Sequence, residues 1–172
     1  ILELYKKLFE NEQVMTALKN TILIALASAV VSTILGTLGA VGVYYCKKRI
    51  RKGVEFIGQV PILNPEIVTA LSLTILFVFL GVRFNFITLL IGHVVLTIPF
   101  VVLSITPKLK QMDSNLYEAA LDLGASPFTA LFKVVVPEIL SGILSGFMLS
   151  ITLSLDDYII SAYTKPAGFD TI

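Results

Sequence analysis

Residues 112–140 read MDSNLYEAALDLGASPFTALFKVVVPEIL, a polar stretch between two long apolar runs. Asp113 or Ser114 can cap the N-terminus of a helix. Gly124 suits a left-handed helix end, and Pro127 after a serine favours a fresh helical start. Apolar side chains at spacings of three and four residues form one face of the first helix: Leu116, Ala119, Ala120 and Leu123. The stretch therefore predicts a short amphipathic helix, a turn and a second helix that leads to the next apolar run.

Four apolar runs in the sequence predict membrane-spanning helices. The chain is 56% hydrophobic and 15% charged, whereas soluble domains average about 25% charged residues. Residues 20–46 carry no charge, and at about 1.5 Å per residue this run can cross a hydrocarbon core of roughly 30 Å. We predict helix A in 20–46, helix B within 56–82, helix C at 86–105 and helix D at 138–160. The predicted fold class is an all-α polytopic membrane bundle of about four spans, preceded by an amphipathic surface helix in 1–19.

Small residues recur every fourth position in helix A, and two glycines lie four apart in helix D. Such stripes allow close approach of helix backbones in lipid. The residues are Ser28, Ser32, Gly36 and Ala40 in helix A, and Gly142 and Gly146 in helix D. We assign them to helix packing.

Lysine and arginine residues sort the connections between these helices onto two sides. The A–B loop carries five of them, the C–D connection three, and the B–C loop and the tail one each. Cytoplasmic loops carry the excess of these residues. We therefore expect the A–B loop and the 113–137 segment to be cytoplasmic. The N-terminus of the sequence, the B–C loop and the tail are expected outside.

The charges of the 113–137 segment indicate whether it contacts lipid or a partner protein. An apolar stripe between two spans can lie on lipid or fill a groove on a partner protein. Its charges are mostly acidic, at Asp113, Glu118 and Asp122, and an anionic leaflet does not attract these. A partner protein is therefore the better interpretation.

The spacing within this segment resembles the EAA motif of ATP-binding-cassette (ABC) importer permeases. That motif reads Glu-Ala-Ala, three residues, Gly, nine residues, Ile, one residue and Leu-Pro. The matching positions here are Glu118, Ala119, Ala120, Gly124, Val134, Val136 and Pro137. Val134 and Val136 are conservative departures from Ile and Leu. The resemblance implies that residues 113–137 are a coupling segment that docks into a cleft of a separate ATPase. The implied contacts are Glu118, Ala119, Ala120, Leu123, Gly124 and Pro137.

The chain is also similar to the spermidine/putrescine permease family of the PotC type. The similarity rests on PILNPEIVTALSL (61–73), FVVLSITPKLKQMDSNLYEAALDLGAS (100–126) and TLSLDDYIISAYTKPAGFDTI (152–172). That family has six spans, and this sequence resembles spans two to five. We therefore expect a single transmembrane permease domain over residues 1–172, as a fragment lacking the first and last spans.

The resemblance implies a transport subunit without a catalytic site or cofactor of its own, which imports polyamines by alternating access. ATP-Mg would be bound by the ATPase subunits. Further implied partners are a sibling permease subunit, an extracytoplasmic solute-binding protein and the lipid bilayer of a bacterial inner membrane. The net charge of +1 gives no argument for nucleic acid, and none is expected as a partner.

A polyamine pathway needs carboxylates and aromatic faces, because the cargo is a polycation that loses hydration. The candidates in or near the spans are Glu66, Asp156, Asp157 and Tyr158. Asp156 and Asp157 either end helix D in water or line the outer mouth of the pathway. Adjacent residues on a helix point about 100° apart, so at most one of the two is expected to face the pathway. Interfacial tyrosines are common, which leaves both interpretations of Tyr158 open.

Glu66 and His93 each have a structural interpretation as well. Asn64, Pro65 and Glu66 form a helix-start signature, with Asn as N-cap and Pro at the first position. That signature is compatible with a pathway carboxylate, since interrupted helices at membrane depth border water-filled cavities. For His93 we predict hydrogen bonds to a neighbouring helix rather than proton transfer.

Three other functions remain open from the sequence. The same machine could carry an amino-acid derivative, iron or molybdate. An ion-coupled secondary transporter is disfavoured because the helix interiors hold few ionisable groups. A membrane-embedded enzyme or a metal site needs a cluster of reactive groups, which one cysteine and one histidine do not provide. No phosphate-cradling Gly-x-x-x-x-Gly-Lys-Ser/Thr loop occurs.

Overall fold

The computed structural model describes residues 11–63, 65–166, 168, 169 and 171. The first ten residues of the amphipathic helix predicted over 1–19 lie outside these. The described helices are α1 (Glu12–Tyr45), α2 (Lys48–Leu63), α3 (Glu66–Phe79), α4 (Phe86–Gln111), α5 (Asn115–Asp122), α6 (Pro127–Ala130), a π-helical turn (Leu131–Val135), α7 (Val136–Glu138), α8 (Leu140–Asp156) and α9 (Ile159–Thr164). The predicted all-α class is confirmed.

Two of these helices are long and apolar enough to cross a membrane, namely α1 with 34 residues and α4 with 26. They correspond to predicted helices A and C. Residues Pro127–Glu138 and Leu140–Asp156 together make a third candidate, bent by 70° at the break between them. Predicted helix B differs most, because its apolar part is the 14-residue α3, which reaches only about 21 Å at 1.5 Å per residue.

The basic A–B loop is shorter than the sequence predicts. Only Cys46 and Lys47 separate α1 from α2, so most of the cationic cluster lies in the first turns of a helix. Glu55 on α2 draws two cations together, with Arg51 Nε at 3.8 Å and Lys110 Nζ of α4 at 3.4 Å. The contact with Lys110 joins α2 to α4, whereas the contact with Arg51 lies within α2.

Helices α1, α4 and α8 form the packed core of the bundle, and each of the three packs directly on the other two. The predicted small-residue stripes lie on the faces in contact, and all six residues are buried. On α8, a methyl group added at Gly142 would lie 3.0 Å from the Ser104 carbonyl oxygen and 3.2 Å from Ile105 Cα. The helix-packing assignment is confirmed, since backbones this close leave no room for a side chain.

Gly36 provides a direct test of this packing, and Gly39 on the same helix is its matched control. A Cβ at Gly36 would lie 2.7 Å from Val101 Cγ1, whereas a Cβ at Gly39 meets nothing within 4 Å. Overpacking of this kind costs about 1–3 kcal/mol. We expect Gly36→Ala to lower the thermal unfolding temperature of the detergent-solubilised protein. Gly39→Ala should leave it unchanged or raise it, since Ala favours a helix by up to about 1 kcal/mol over Gly. Equal shifts in both variants would contradict the packing.

Candidate functional site

The 113–137 segment begins with a helix whose ends are fixed by local hydrogen bonds. The Asn115 N–H donates to Asp113 Oδ1 over 3.0 Å, whereas the Ser114 side chain makes no cap bond. Of the two predicted caps, Asp113 is therefore the one in use. At the other end Gly124 has φ +87°, and the Ala125 N–H donates to the Ala120 carbonyl oxygen over 3.0 Å. This is the glycine-dependent helix ending that the sequence predicts.

The second half of the segment turns towards the bundle through Pro127 and Pro137. The Thr129 N–H donates to Ser126 Oγ over 3.2 Å, which starts α6 with Pro127 as its first residue. A π-helical turn follows, and Pro137 then lies in the short α7 just before the 70° bend. The predicted second helix leading to the membrane at Pro137 is therefore present in an irregular form.

One face of this segment packs on the bundle, and the other is unpartnered in the described structure. The Tyr117 ring lies 4.9 Å from the Tyr45 ring, centroid to centroid. Ala120 is half-buried, while Glu118, Ala119 and Pro137 are exposed. We call the exposed large apolar side chains of this segment the coupling surface: Leu116 at 40%, Leu123 at 90%, Phe128 at 77% and Phe132 at 60% exposure. Leu123, one of the residues predicted to couple, is the most exposed side chain of the coupling surface.

A cavity of about 220 Å³ lies elsewhere in the fold, beside the middle of α4. It forms where two helical stretches are interrupted, between α2 and α3 on one side and between α8 and α9 on the other. Its lining residues are Ile62, Glu66, Leu96, Phe100, Leu153, Asp156 and Asp157. The three acidic residues singled out from the sequence therefore share one cavity, which we call the acidic cavity.

Exposure differs among the three carboxylates of the acidic cavity. Asp156 is exposed and Glu66 is half-buried, whereas the Asp157 side chain is fully buried. Both aspartates belong to the lining of the acidic cavity, and which of them faces a transport pathway stays a prediction. Helix α8 ends at Asp156, and Asp157 has an extended backbone (φ −77°, ψ 110°), so the helical rotation of about 100° does not separate them. The interpretation of a helix end in water fails for Asp157.

Asp157 is held in place by the start of the next helix. Its Oδ1 accepts the Ile160 N–H and its Oδ2 accepts the Ser161 N–H, both over 3.2 Å. Helix α9 is in turn anchored to its neighbours through the Thr164 carbonyl oxygen, which accepts from Thr88 on α4 over 3.1 Å. The residue that caps α9 therefore also lines the acidic cavity.

Glu66 is the first residue of α3, and Pro65 occupies the cap position. The sequence predicted Pro65 as the first helical residue, so the predicted start of the helix was one residue too early. The predicted cap, Asn64, lies outside the described residues. Glu66 and Asp157 both line the acidic cavity. Two carboxylates at one site repel each other, and a cation entering the cavity offsets that repulsion.

The aromatic residue at the acidic cavity differs from the predicted one. Tyr158 is 71% exposed and does not belong to the lining, whereas Phe100 does. Leu96 and Phe100 are four residues apart and so lie on one face of α4. That spacing was readable in the sequence, but an apolar face inside an apolar helix gives no signal of a cavity.

His93 is fully buried and bonds to two other helices. Its Nδ1 lies 2.8 Å from Ser154 Oγ on α8, and its Nε2 lies 3.0 Å from Ser161 Oγ on α9. The prediction that this histidine hydrogen-bonds to a neighbouring helix is confirmed. Among the described residues, no group of three or more His, Cys, Asp or Glu side chains is placed to hold a metal ion.

Comparison with known proteins defines the class to which this helical bundle belongs. The sequence model of the family described as "Binding-protein-dependent transport system inner membrane component" matches residues 32–169. The chain therefore belongs to this family and is a multi-pass membrane protein. Its fold agrees with a solved structure described as inward-facing conformations of the MetNI methionine ABC transporter. The TM-score is 0.64 at 20% identity, with 84% of this chain and 73% of that chain covered.

Curated relatives give a more specific similarity. The chain is 35% identical over 168 residues to the spermidine/putrescine transport system permease protein PotC of Escherichia coli K12, covering 98% of this chain and 64% of that protein. It is 33% identical over 175 residues to the putrescine transport system permease protein PotI of the same strain, covering 98% and 62%. The chain thus spans somewhat less than two thirds of the length of these relatives.

Proposed function

We propose that this chain forms the pathway-lining part of an ABC importer permease that carries polyamines into the cell. The observation that carries the proposal is the acidic cavity, where Glu66, Asp156 and Asp157 meet at two helix interruptions. Relatives named for spermidine and putrescine transport match along 98% of the chain, which supports this choice of cargo.

The chemistry of the cavity suits one end of an aliphatic polycation. Its described lining has three carboxylates and no Lys, Arg or His side chain, so an ammonium group can replace lost hydration with carboxylate contacts. Asp156 ends α8, and the carbonyl groups at a helix C-terminus add partial negative charge. Phe100, Leu96 and Leu153 offer an aromatic face and apolar surface to ammonium and methylene groups.

The energy for import comes, in this proposal, from ATPase subunits that dock on the coupling surface at the cytoplasmic side. Glu118, Ala119, Ala120 and Gly124 shape the docking helix, and Pro137 joins it to α8. A sibling permease completes the pathway, and an extracytoplasmic binding protein delivers the cargo. ATP-Mg stays with the ATPase, and the bundle alternates between outward and inward openings.

Uptake of labelled putrescine and spermidine by cells that express the complete permease with its partners tests this proposal. We expect uptake to be saturable and to stop when ATP is depleted while the membrane potential is held. Excess unlabelled polyamine should compete, and methionine should not. Competition by methionine alone, or uptake that follows the membrane potential without ATP, would overturn the proposal.

A further inference from the structure

A line of buried hydrogen bonds runs from the centre of the bundle to the acidic cavity. Ser28 of α1 donates to Ser154 Oγ of α8 over 3.0 Å. Ser154 Oγ lies 2.8 Å from His93 Nδ1 of α4, and His93 Nε2 lies 3.0 Å from Ser161 Oγ of α9. All four side chains are at most 2% exposed. The line thus crosses four helices and ends beside Asp157.

The donors along this line favour one position for the proton on His93. Ser154 accepts from Ser28, so its own proton is available to His93 Nδ1. At the far end, the Ser161 hydroxyl donates to Asp157, with the carbonyl oxygen at 3.3 Å and Oδ2 at 3.5 Å. Ser161 Oγ is then free to accept from His93 Nε2. Ser28 Oγ also lies 3.1 Å from the Ala25 carbonyl oxygen, and its hydroxyl has one proton to donate. A neutral imidazole has one donor and one acceptor nitrogen, and with the Ser28 proton on Ser154 and the Ser161 proton on Asp157, Nε2 is the donor.

We propose that His93 is a positioning residue for Asp157 in the transport pathway, acting through Nε2–H and Ser161 and resting on the proposed polyamine function. His93 Nε2 lies 3.6 Å from Asp157 Oδ2, so the imidazole reaches the carboxylate both directly and through the serine. Because Nδ1 is tied to Ser154, the ring cannot turn away. The Asp157 carboxylate is thereby held beside the acidic cavity with its side chain closed to solvent, and an ammonium group that reaches it meets a preformed acceptor.

A second buried pair of hydroxyl groups, on α1 and α4, serves as a control for packing alone. Ser32 Oγ and Thr97 Oγ1 lie 2.6 Å apart between α1 and α4. Thr97 is fully buried like His93, and its hydroxyl donates to the His93 carbonyl oxygen over 2.8 Å. Neither Ser32 nor Thr97 lines the acidic cavity. Thr97→Val therefore removes two buried hydrogen bonds, to Ser32 Oγ and to the His93 carbonyl oxygen, and leaves every side chain of the line to Asp157 in place.

The proton position can be measured without transport. This sequence contains one histidine, and subtracting the spectrum of His93→Gln isolates its signal in the complete permease. In ¹⁵N-histidine spectra of the assembled transporter, we expect Nε2 to carry the proton and Nδ1 to carry none. Adding spermidine should shift the Nε2 resonance more than the Nδ1 resonance. A proton on Nδ1 would overturn the inference whatever the cargo proves to be.

Two conservative variants separate positioning from packing. The amide nitrogen of Gln reaches the place of Nε2, whereas the shorter Asn reaches only the place of Nδ1. We expect His93→Gln to retain at least about half of the polyamine uptake rate and His93→Asn to lose roughly tenfold, which is a change of about 1.4 kcal/mol. Thr97→Val should keep the normal rate per assembled complex, even if less complex is recovered.

The outcomes distinguish this inference from the function on which it rests. If the unsubstituted transporter carries no polyamine, the proposed function fails, and the proton position still tests the line to Asp157. If it does carry polyamine but Gln and Asn at position 93 give equal rates per complex, the positioning role is wrong and the proposed function stands.

Discussion

Replacing Leu123 with Asp is expected to abolish transport while leaving the helical bundle intact. Leu123 is 90% exposed at the end of α5, so its side chain contributes little to the fold of this chain. Burying a leucine at a partner contributes about 1.5–3 kcal/mol, and an aspartate there adds the cost of an unpaired charge. We therefore expect docking of the ATPase to weaken at least roughly tenfold to a hundredfold.

Co-purification of the ATPase with tagged permease measures this loss, together with uptake and the ATPase stimulation caused by loaded binding protein. Asp122→Asn is the matched control, since Asp122 is the exposed neighbour of Leu123 on the same helix and the change removes no apolar surface. Deletion of residues 116–124 should act like Leu123→Asp but more completely. Full recovery of the ATPase with Leu123→Asp or with the deletion would refute the docking role of the coupling surface.

Neutralising the acidic cavity is expected to stop polyamine uptake without affecting assembly. The triple variant Glu66→Gln, Asp156→Asn and Asp157→Asn keeps the shape of the cavity and removes its charges. A carboxylate about 4 Å from an ammonium group contributes roughly 4 kcal/mol at an effective dielectric constant of 20. Asn also caps helices well, so Asp157→Asn should preserve the start of α9.

Uptake of labelled spermidine in the triple variant should fall below about a tenth of normal, since each 1.4 kcal/mol corresponds to a factor of ten. Among single variants, the loss should follow burial, with Asp157→Asn the largest and Asp156→Asn the smallest. Glu138→Gln serves as control because Glu138 is an exposed carboxylate of α7 outside the cavity. Normal uptake by the triple variant in a correctly assembled transporter would remove these residues from the pathway.

Local sequence signals predicted the parts of this fold that local chemistry controls. Gly124, Pro127 and Asp113 each act within four residues of their own position, so a helix end could be read from residue types alone. The small-residue stripe from Ser28 to Ala40 was equally readable, because its period of four matches a single helix face.

Features that depend on breaks in helices were harder to predict. If helix D continued without interruption, helical rotation would separate Asp156 from Asp157. Both residues line the acidic cavity because the backbone at Asp157 is extended. Pro65 and Glu66 signalled the start of α3, whereas nothing signalled the π-helical turn after Ala130, since apolar composition does not mark where a helix bends. To predict that Phe100 lines the acidic cavity, one must know where the neighbouring helices lie. A single sequence does not give those positions.

The 70° bend after Glu138 divides this part of the chain into two helical arms that meet at a corner. One arm carries the coupling surface, and the other arm is α8, whose far end carries Asp156. Helix α8 has 17 residues and is therefore about 25 Å long. If the joint keeps its angle, a tilt of roughly 10° in the short arm moves the far end of α8 by about 4 Å at this arm length. A displacement of that size is enough to break and remake carboxylate contacts, so under the proposed function this corner would transmit docking at the coupling surface to the acidic cavity.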